Sequence, residues 1–272
     1  MIRRWFAAAL LTASCAPAWA AAAPAYTILA PPRQTHAQSN ATFAPIAQLL
    51  TRATGRPFRF HFTRDWLVYM QEVRHNTGDV YFDGPAFIGW RAAKFHDRAA
   101  ASLKGKLNFV LIVKKGYKLG KPDQLAGDPV CAFSPPNLGT LVLESLFPNP
   151  DRQPYIHVIH SLKAAALGVI SDTCRAALVP TVVYNRMNKA HPGKLDVAYR
   201  VKPIPNQGFS LNSKMPPAIQ NKVIAALLSP AGQQATAKLR SLFGNRPLVR
   251  AHTASYLPAQ NLLHSVIGFS KQ

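Results

Sequence analysis

The chain has 272 residues, enough for one large domain or two of ordinary size, and 48% of them are hydrophobic, enough to bury a real core. Its 32 Lys and Arg against 11 Asp and Glu give a formal charge of +21, an excess that points to an anionic partner or a negative surface. Beyond the N-terminal leader no stretch reaches the ~18 consecutive apolar residues of a membrane span, which excludes a spanning helix in the mature chain.

Met1-Ile2-Arg3-Arg4 is a short positive start, residues 5–16 are an apolar run, and Ala18-Trp19-Ala20 places small residues where a signal peptidase reads them. Together these predict a secretory signal peptide over residues 1–20, with cleavage after Ala20 and Ala22 or Ala23 as alternatives. Losing Arg3 and Arg4 leaves 30 cations against 11 anions, a formal +19. Thr12-Ala13-Ser14-Cys15 resembles a lipobox only weakly, with Thr where Leu is preferred. Export to the periplasm argues against a nucleic-acid partner. Cys131 and Cys174 then remain, and an even pair in an oxidising compartment favours a disulfide over two separate buried thiols.

Residues 26–30 read as a short apolar strand that runs into Pro31-Pro32-Arg33-Gln34, where two prolines end any ladder. A helix opens at Asn40-Ala41-Thr42, carries Phe43, Ile46, Ala47 and Leu50 at helical spacing, and stops at Gly55. Phe58, Phe60 and Phe62 alternate with Arg59 and His61 as a half-buried strand. Thr63-Arg64-Asp65 is turn and cap for a helix bearing Trp66, Leu67, Met70 and Val73, which Gly78 ends. Residues 79–82 form a third strand leading into Asp83-Gly84-Pro85-Ala86 and a helix over 86–95. Three strand–helix units predict parallel strands with right-handed crossovers, and ligand loops lie at the carboxyl ends of such strands.

The alternation then repeats. Residues 107–114 are a strong strand, 123–126 a short helix, and 130–133 a buried strand that breaks at Ser134-Pro135-Pro136-Asn137 before helix-compatible sequence begins. Such a turn presents first-turn amides and partial positive charge to an anion. A strand over 155–158 ends at His160-Ser161, a helix over 162–167 is stopped by Gly168, and a strand over 174–179 ends at Pro180-Thr181 with Tyr184 beyond. Residues 201–206 are extended by their prolines and return the chain to the first sheet, where 209–211 is a brief strand. Helices are predicted from Pro216-Pro217 and over 231–243; the tail over 258–271 has weak helical periodicity and no assigned place.

Several stretches, taken in this order, carry a family resemblance: Leu29-Ala30-Pro31-Pro32-Arg33, Phe43-Ala44-Pro45-Ile46-Ala47-Gln48-Leu49-Leu50, Gly78-Asp79-Val80-Tyr81-Phe82-Asp83-Gly84-Pro85-Ala86, Pro122-Asp123-Gln124-Leu125-Ala126-Gly127 and Ile204-Pro205-Asn206. The chain resembles the periplasmic substrate-binding proteins of ABC transporters, in the PhnD-like phosphate, phosphite and phosphonate branch. The resemblance implies an α/β, two-lobed type II periplasmic-binding-protein fold, with two mixed sheets flanked by helices and joined by two crossing strands. Lobe 1 is expected over 24–104 plus 204–272 and lobe 2 over 105–203. The family's Ser-Thr-Ser-Gly type loop corresponds here to Pro136-Asn137-Leu138-Gly139-Thr140, which keeps backbone amides and loses most hydroxyls. His160 and Tyr184 stand at positions where the family places polar ligand contacts. In the family's strand order the strands holding Cys131 and Cys174 are parallel neighbours, so a bridge between them is geometrically allowed.

The expected ligand site therefore comprises Pro32, Arg33, Thr63, Arg64, Asp83, Gly84, Pro85, Pro136, Asn137, Leu138, Gly139, Thr140, His160, Ser161 and Tyr184, with Trp66 and Tyr81 as candidate walls. The expected partners are a small anion, a phosphonate- or phosphate-like oxyanion or an organic acid, and the inner-membrane permease of an ABC importer; the expected state is a monomer. The alternatives are a periplasmic sensor or accessory subunit that presents a ligand to a membrane signalling or respiratory partner and, ranked after it, a secreted enzyme. Nine histidines show no metal-ligand spacing and no nucleophile–base set can be named, so no cofactor, no metal and no enzymatic activity are expected.

Overall fold

A computed structural model describes residues 24–269. The expected leader and Cys15 lie outside the described residues. In chain order the first half comprises β1 (Tyr26–Leu29), α1 (His36–Thr54), β2 (Phe58–Phe60), α2 (Trp66–His75), β3 (Val80–Asp83), α3 (Pro85–Phe95), β4 (Arg98–Leu103), β5 (Lys106–Leu107) and β6 (Phe109–Lys114). There follow β7 (Pro129–Ala132), α4 (Leu138–Glu144), β8 (Tyr155–Val158), α5 (Leu162–Ile170), β9 (Ala176–Pro180), α6 (Thr181–Ala190) and β10 (Leu195–Arg200). The chain ends with β11 (Ile204–Pro205), β12 (Gly208–Leu211), α7 (Pro217–Leu228), α8 (Pro230–Ala235), α9 (Ala237–Ser241), β13 (Leu248–Arg250) and a 3₁₀ segment over Leu257–Leu263.

These strands form two mixed sheets, each the centre of a lobe. The first has the order β13-β4-β12-β3-β1-β2 and the second β10-β6-β9-β7-β8. Within the first, β1, β2 and β3 are parallel as their helical crossovers require, while β12, β4 and β13 run antiparallel. Strands β5 and β11 pair antiparallel through Ile204 and Leu107 and form the two crossings between lobes. The fold is that of a type II periplasmic binding protein.

Local chemistry explains most boundaries. Helix α1 starts four residues earlier than Asn40, because Thr35 and Gln38 form a capping box: Thr35 Oγ1 accepts from the Gln38 amide and Gln38 Oε1 accepts from the Thr35 amide. Gly55, at φ +72°, closes it as predicted. Asp65 caps α2 by accepting from the Val68 amide at 2.8 Å, and Asn76 rather than Gly78 supplies the left-handed residue at its end. Gly168 does not stop α5 but lies within it, where a Cβ would come 2.7 Å from Cys131 Sγ. The predicted helix over 231–243 is two short ones, α8 and α9, broken at Thr236.

Lobe 1 packs α1 and α7 on one face of its sheet, with Phe43, Ile46 and Leu50 meeting Phe82, Phe209 and Leu227. The C-terminal segment lies on α3. Gly89 makes the approach feasible, since a Cβ there would sit 2.2 Å from the Tyr256 carbonyl. Buried Tyr256 donates to the Asn206 carbonyl at 2.9 Å, and burial pushes its hydroxyl pKa up to about 12. Further along, Ser265 Oγ donates to Glu144 Oε2 at 3.0 Å, so the tail touches the end of α4 in the second lobe. Cys131 and Cys174 are joined in a disulfide beside the parallel β7–β9 pair.

Candidate functional site

A crevice of about 270 Å³ opens where the lobes face each other. Lobe 1 contributes Arg33 from the β1–α1 loop, Trp66 at the start of α2, and Gly84, Ala86 and Phe87 around the start of α3. Lobe 2 contributes Cys131 to Phe133 and Pro136 to Leu141, together with Leu162 and Leu178. Phe109 and Gln207 flank the crossing strands, and Phe243 closes one side. Thus the carboxyl ends of β1, β3 and β7 meet here, as the topology of open α/β sheets demands.

Arg33 is the one charged residue on this lining. Its amide bonds back to the Pro31 carbonyl at 2.8 Å, and Gln34 Oε1 accepts from Thr42 Oγ1, which ties the loop to α1. The guanidinium lies 5.6 Å from the Phe243 ring centroid, and its side chain makes no hydrogen bond or ion pair among the described residues. The residue is exposed; partial desolvation at the crevice lowers its pKa, opposed by the fields of Tyr69 and Asp83. An anion placed beside it would satisfy donors that no protein group among the described residues satisfies.

Helix α3 starts at Gly84-Pro85 without a side-chain cap, which leaves the amides of Ala86 and Phe87 without a capping group, and Gly84, Ala86 and Phe87 line the same crevice. Across from it, Asn137 caps α4 with its own Oδ1, accepting from the Gly139 amide at 2.9 Å, and Thr140 Oγ1 donates to the Phe133 carbonyl at 2.5 Å. This turn therefore spends part of its polar capacity internally. The Pro135–Pro136 peptide within it is cis. Gln207 contributes a side-chain amide whose Oε1 is buried with no partner.

Seven of the expected site residues line the crevice: Arg33, Gly84, Pro136, Asn137, Leu138, Gly139 and Thr140. Pro32 and Pro85 adjoin it in sequence without lining it. Thr63 is buried and donates to the Ala30 carbonyl at 3.1 Å, holding β1 against the loop after β2. Arg64 lies on the outer surface and pairs with Asp65. Asp83 sits beneath the crevice, fully buried, accepting from Arg91 Nη1 at 2.8 Å and from the Tyr69 hydroxyl at 2.5 Å. His160 is exposed, Ser161 caps α5 by accepting from the Ala164 amide, and Tyr184 packs against the core between β6, α5 and α6. Tyr81 is core, 3.8 Å beneath the Arg91 guanidinium.

Sequence reading missed Phe87, Phe109, Phe133, Leu141, Gln207 and Phe243 as crevice residues. Only Gln207 carried a signal, as a polar residue beside the returning strand; the apolar ones look like any core residue until the second lobe is in place.

A family model described as ABC transporter, phosphonate, periplasmic substrate-binding protein matches residues 28–256. The chain belongs to this family. Comparison with curated proteins gives no match. Among solved structures, PhnD1 from Prochlorococcus marinus in complex with methylphosphonate matches at 12% identity and a TM-score of 0.63, over 89% of this chain and 98% of that one. XAC2383 from Xanthomonas citri bound to ATP matches at 11% identity and a TM-score of 0.65, over 90% and 96%. A binding-protein component of an ABC phosphonate transporter from Pseudomonas aeruginosa matches at 15% identity and a TM-score of 0.57, over 88% and 85%. Such identities establish the shared fold; the family is one of periplasmic substrate-binding proteins. Among the described residues no helix is long and apolar enough to cross a membrane, and no group of His, Cys, Asp and Glu is arranged to hold a metal.

Proposed function

We propose that this member of the family captures a small anion in the interlobe crevice, after export and leader cleavage, and delivers it as a monomer to the permease of an ABC importer. Lobe 1, residues 24–104 plus 204–272, closes on lobe 2, residues 105–203, about the β5–β11 crossings. The observation that carries this reading is Arg33, a guanidinium without a hydrogen-bond or ion-pair partner among the described residues, opposite the segment from Pro136 to Thr140 and beside the uncapped start of α3. Closure places the anion between Arg33 and the amides of both lobes in a site of reduced dielectric, where such contacts are strongest.

After leader removal only Trp66 and Trp90 remain of the four tryptophans, and Trp66 lines the crevice while Trp90 is core. Titrating the mature protein with phosphate, phosphite, phosphonates and carboxylates should therefore change tryptophan fluorescence for the true ligand class. Arg33→Ala should weaken that binding by on the order of tenfold to a hundredfold, the scale of a lost charge-assisted contact, with an unchanged melting temperature. Equal affinity in Arg33→Ala sinks the assignment.

A further inference from the structure

The walls of the crevice are apolar to a degree that a bare oxyanion does not use. Trp66 and Phe87, stacked with centroids 6.4 Å apart, form one side; Phe133, Leu138 and Phe243 form much of the rest. Apart from the backbone amides at the start of α3, donors on the lining are confined to the Arg33 guanidinium and the side-chain NH2 groups of Gln207 and Asn137, since Asn137 Oδ1 accepts from the Gly139 amide and the Thr140 hydroxyl is committed to the Phe133 carbonyl. One positive charge balances one negative charge, and a second negative charge enclosed here would be left without a counter-ion. The volume, about 270 Å³, is also several times the ~30 Å³ that one water occupies in the liquid.

We propose that the ligand is an organic monoanion with an apolar, ring-sized body: its charged head on Arg33 and the amides at the start of α3, with Gln207 Nε2 as a further donor, and its body between the Trp66–Phe87 pair and Phe133, Leu138 and Phe243. The inference rests on the crevice being the anion site and adds the chemistry of what the anion is attached to. Flat faces and aliphatic edges on opposite walls favour an aryl or branched alkyl group, which exchanges water for apolar contact on both sides. A small hydrophilic anion leaves those walls wet or empty.

The test is calorimetric titration of the mature full-length protein with two matched pairs, acetate against phenylacetate and methylphosphonate against phenylphosphonate, with inorganic phosphate alongside. The aryl member should bind at least about tenfold more tightly in one or both pairs, a factor that burying one ring readily supplies; a preference in one pair alone also assigns the headgroup. Phe133→Ala should lower aryl affinity several-fold and leave acetate and methylphosphonate within about twofold, a melting curve confirming its fold. The proposal is overturned if the small members or phosphate bind as tightly as the aryl members, or if Phe133→Ala weakens both members of a pair equally. In those cases anion capture at Arg33 still stands. Failure of every anion to bind, with Arg33→Ala indistinguishable from the parent, removes both.

Discussion

Arg91 reaches the interior of lobe 1 from α3 and there joins two carboxylates and a hydroxyl. Its Nη1 donates to Asp83, its Nη2 to Ser210 Oγ at 2.6 Å, and its Nε lies 3.4 Å from Asp97 Oδ2. Burial raises the Asp97 carboxyl above its ordinary range, with Arg91, the Ser213 amide and Asn76 opposing, while Asp83 and the tyrosines raise Arg91 against the same desolvation. Removing one member leaves buried charge uncompensated, so Arg91→Met should cost about 3–5 kcal/mol in chemical denaturation, although Arg91 does not line the crevice. At the surface the sign differs. The Val68 amide, donating to Asp65, holds that carboxylate below its usual pKa. A depressed folded value means its contribution is complete above the unfolded value of about 3.9 and fades as pH falls through the folded one. The melting-temperature gap between the parent and Asp65→Asn should be constant near neutrality and shrink below about pH 4; a gap that widens in acid contradicts this.

At the scale of elements, β7, β9 and α5 form a unit closed by the Cys131–Cys174 disulfide, whose half-cystines are 43 residues apart, with Cys131 on the crevice lining. By the chain-entropy relation, closing such a loop is worth about 4 kcal/mol. The double variant Cys131→Ser, Cys174→Ser should lose stability on that order, read by denaturant melting against the oxidised parent, and an unchanged midpoint would show that packing of Gly168 against the sulfurs carries the unit alone. Several elements were legible because local chemistry and tertiary context agree: the alternating Phe58 and Phe60, the Asp65 cap, the Gly55 stop. Strands β4, β10 and β13 were not. Arg98–Leu103 is half alanine, Leu195–Arg200 carries a charge at each end of its pattern, and Leu248–Arg250 is three residues long. Each is a strand because a neighbour offers an unpaired edge, which no local propensity encodes.

For the whole molecule the consequence of two lobes on two crossings is a clamp that the C-terminal segment also spans, from Tyr256 at the Asn206 crossing to Ser265 on Glu144. Leu141 of α4 is buried in a cluster with Phe87, Trp90 and Leu263 of the facing lobe and tail, so the two lobes share apolar surface in this structure. Ligand at a hundredfold excess over its Kd should stabilise the fold by about 2.7 kcal/mol and contract the radius of gyration in solution scattering. Stabilisation without contraction would mean the jaws are already shut when the ligand enters. Read alone, the sequence determined the class of molecule: apolar spacing set the strand–helix alternation, the ordered loop motifs set the family, and Arg33 and the turn from Pro136 to Thr140 were legible because charge and proline are local signals. Only the tertiary structure decided what lines the crevice. Phe87, Phe133 and Phe243 are ordinary core-type residues in their own segments, and they become walls of one chamber because two separately built sheets are set face to face.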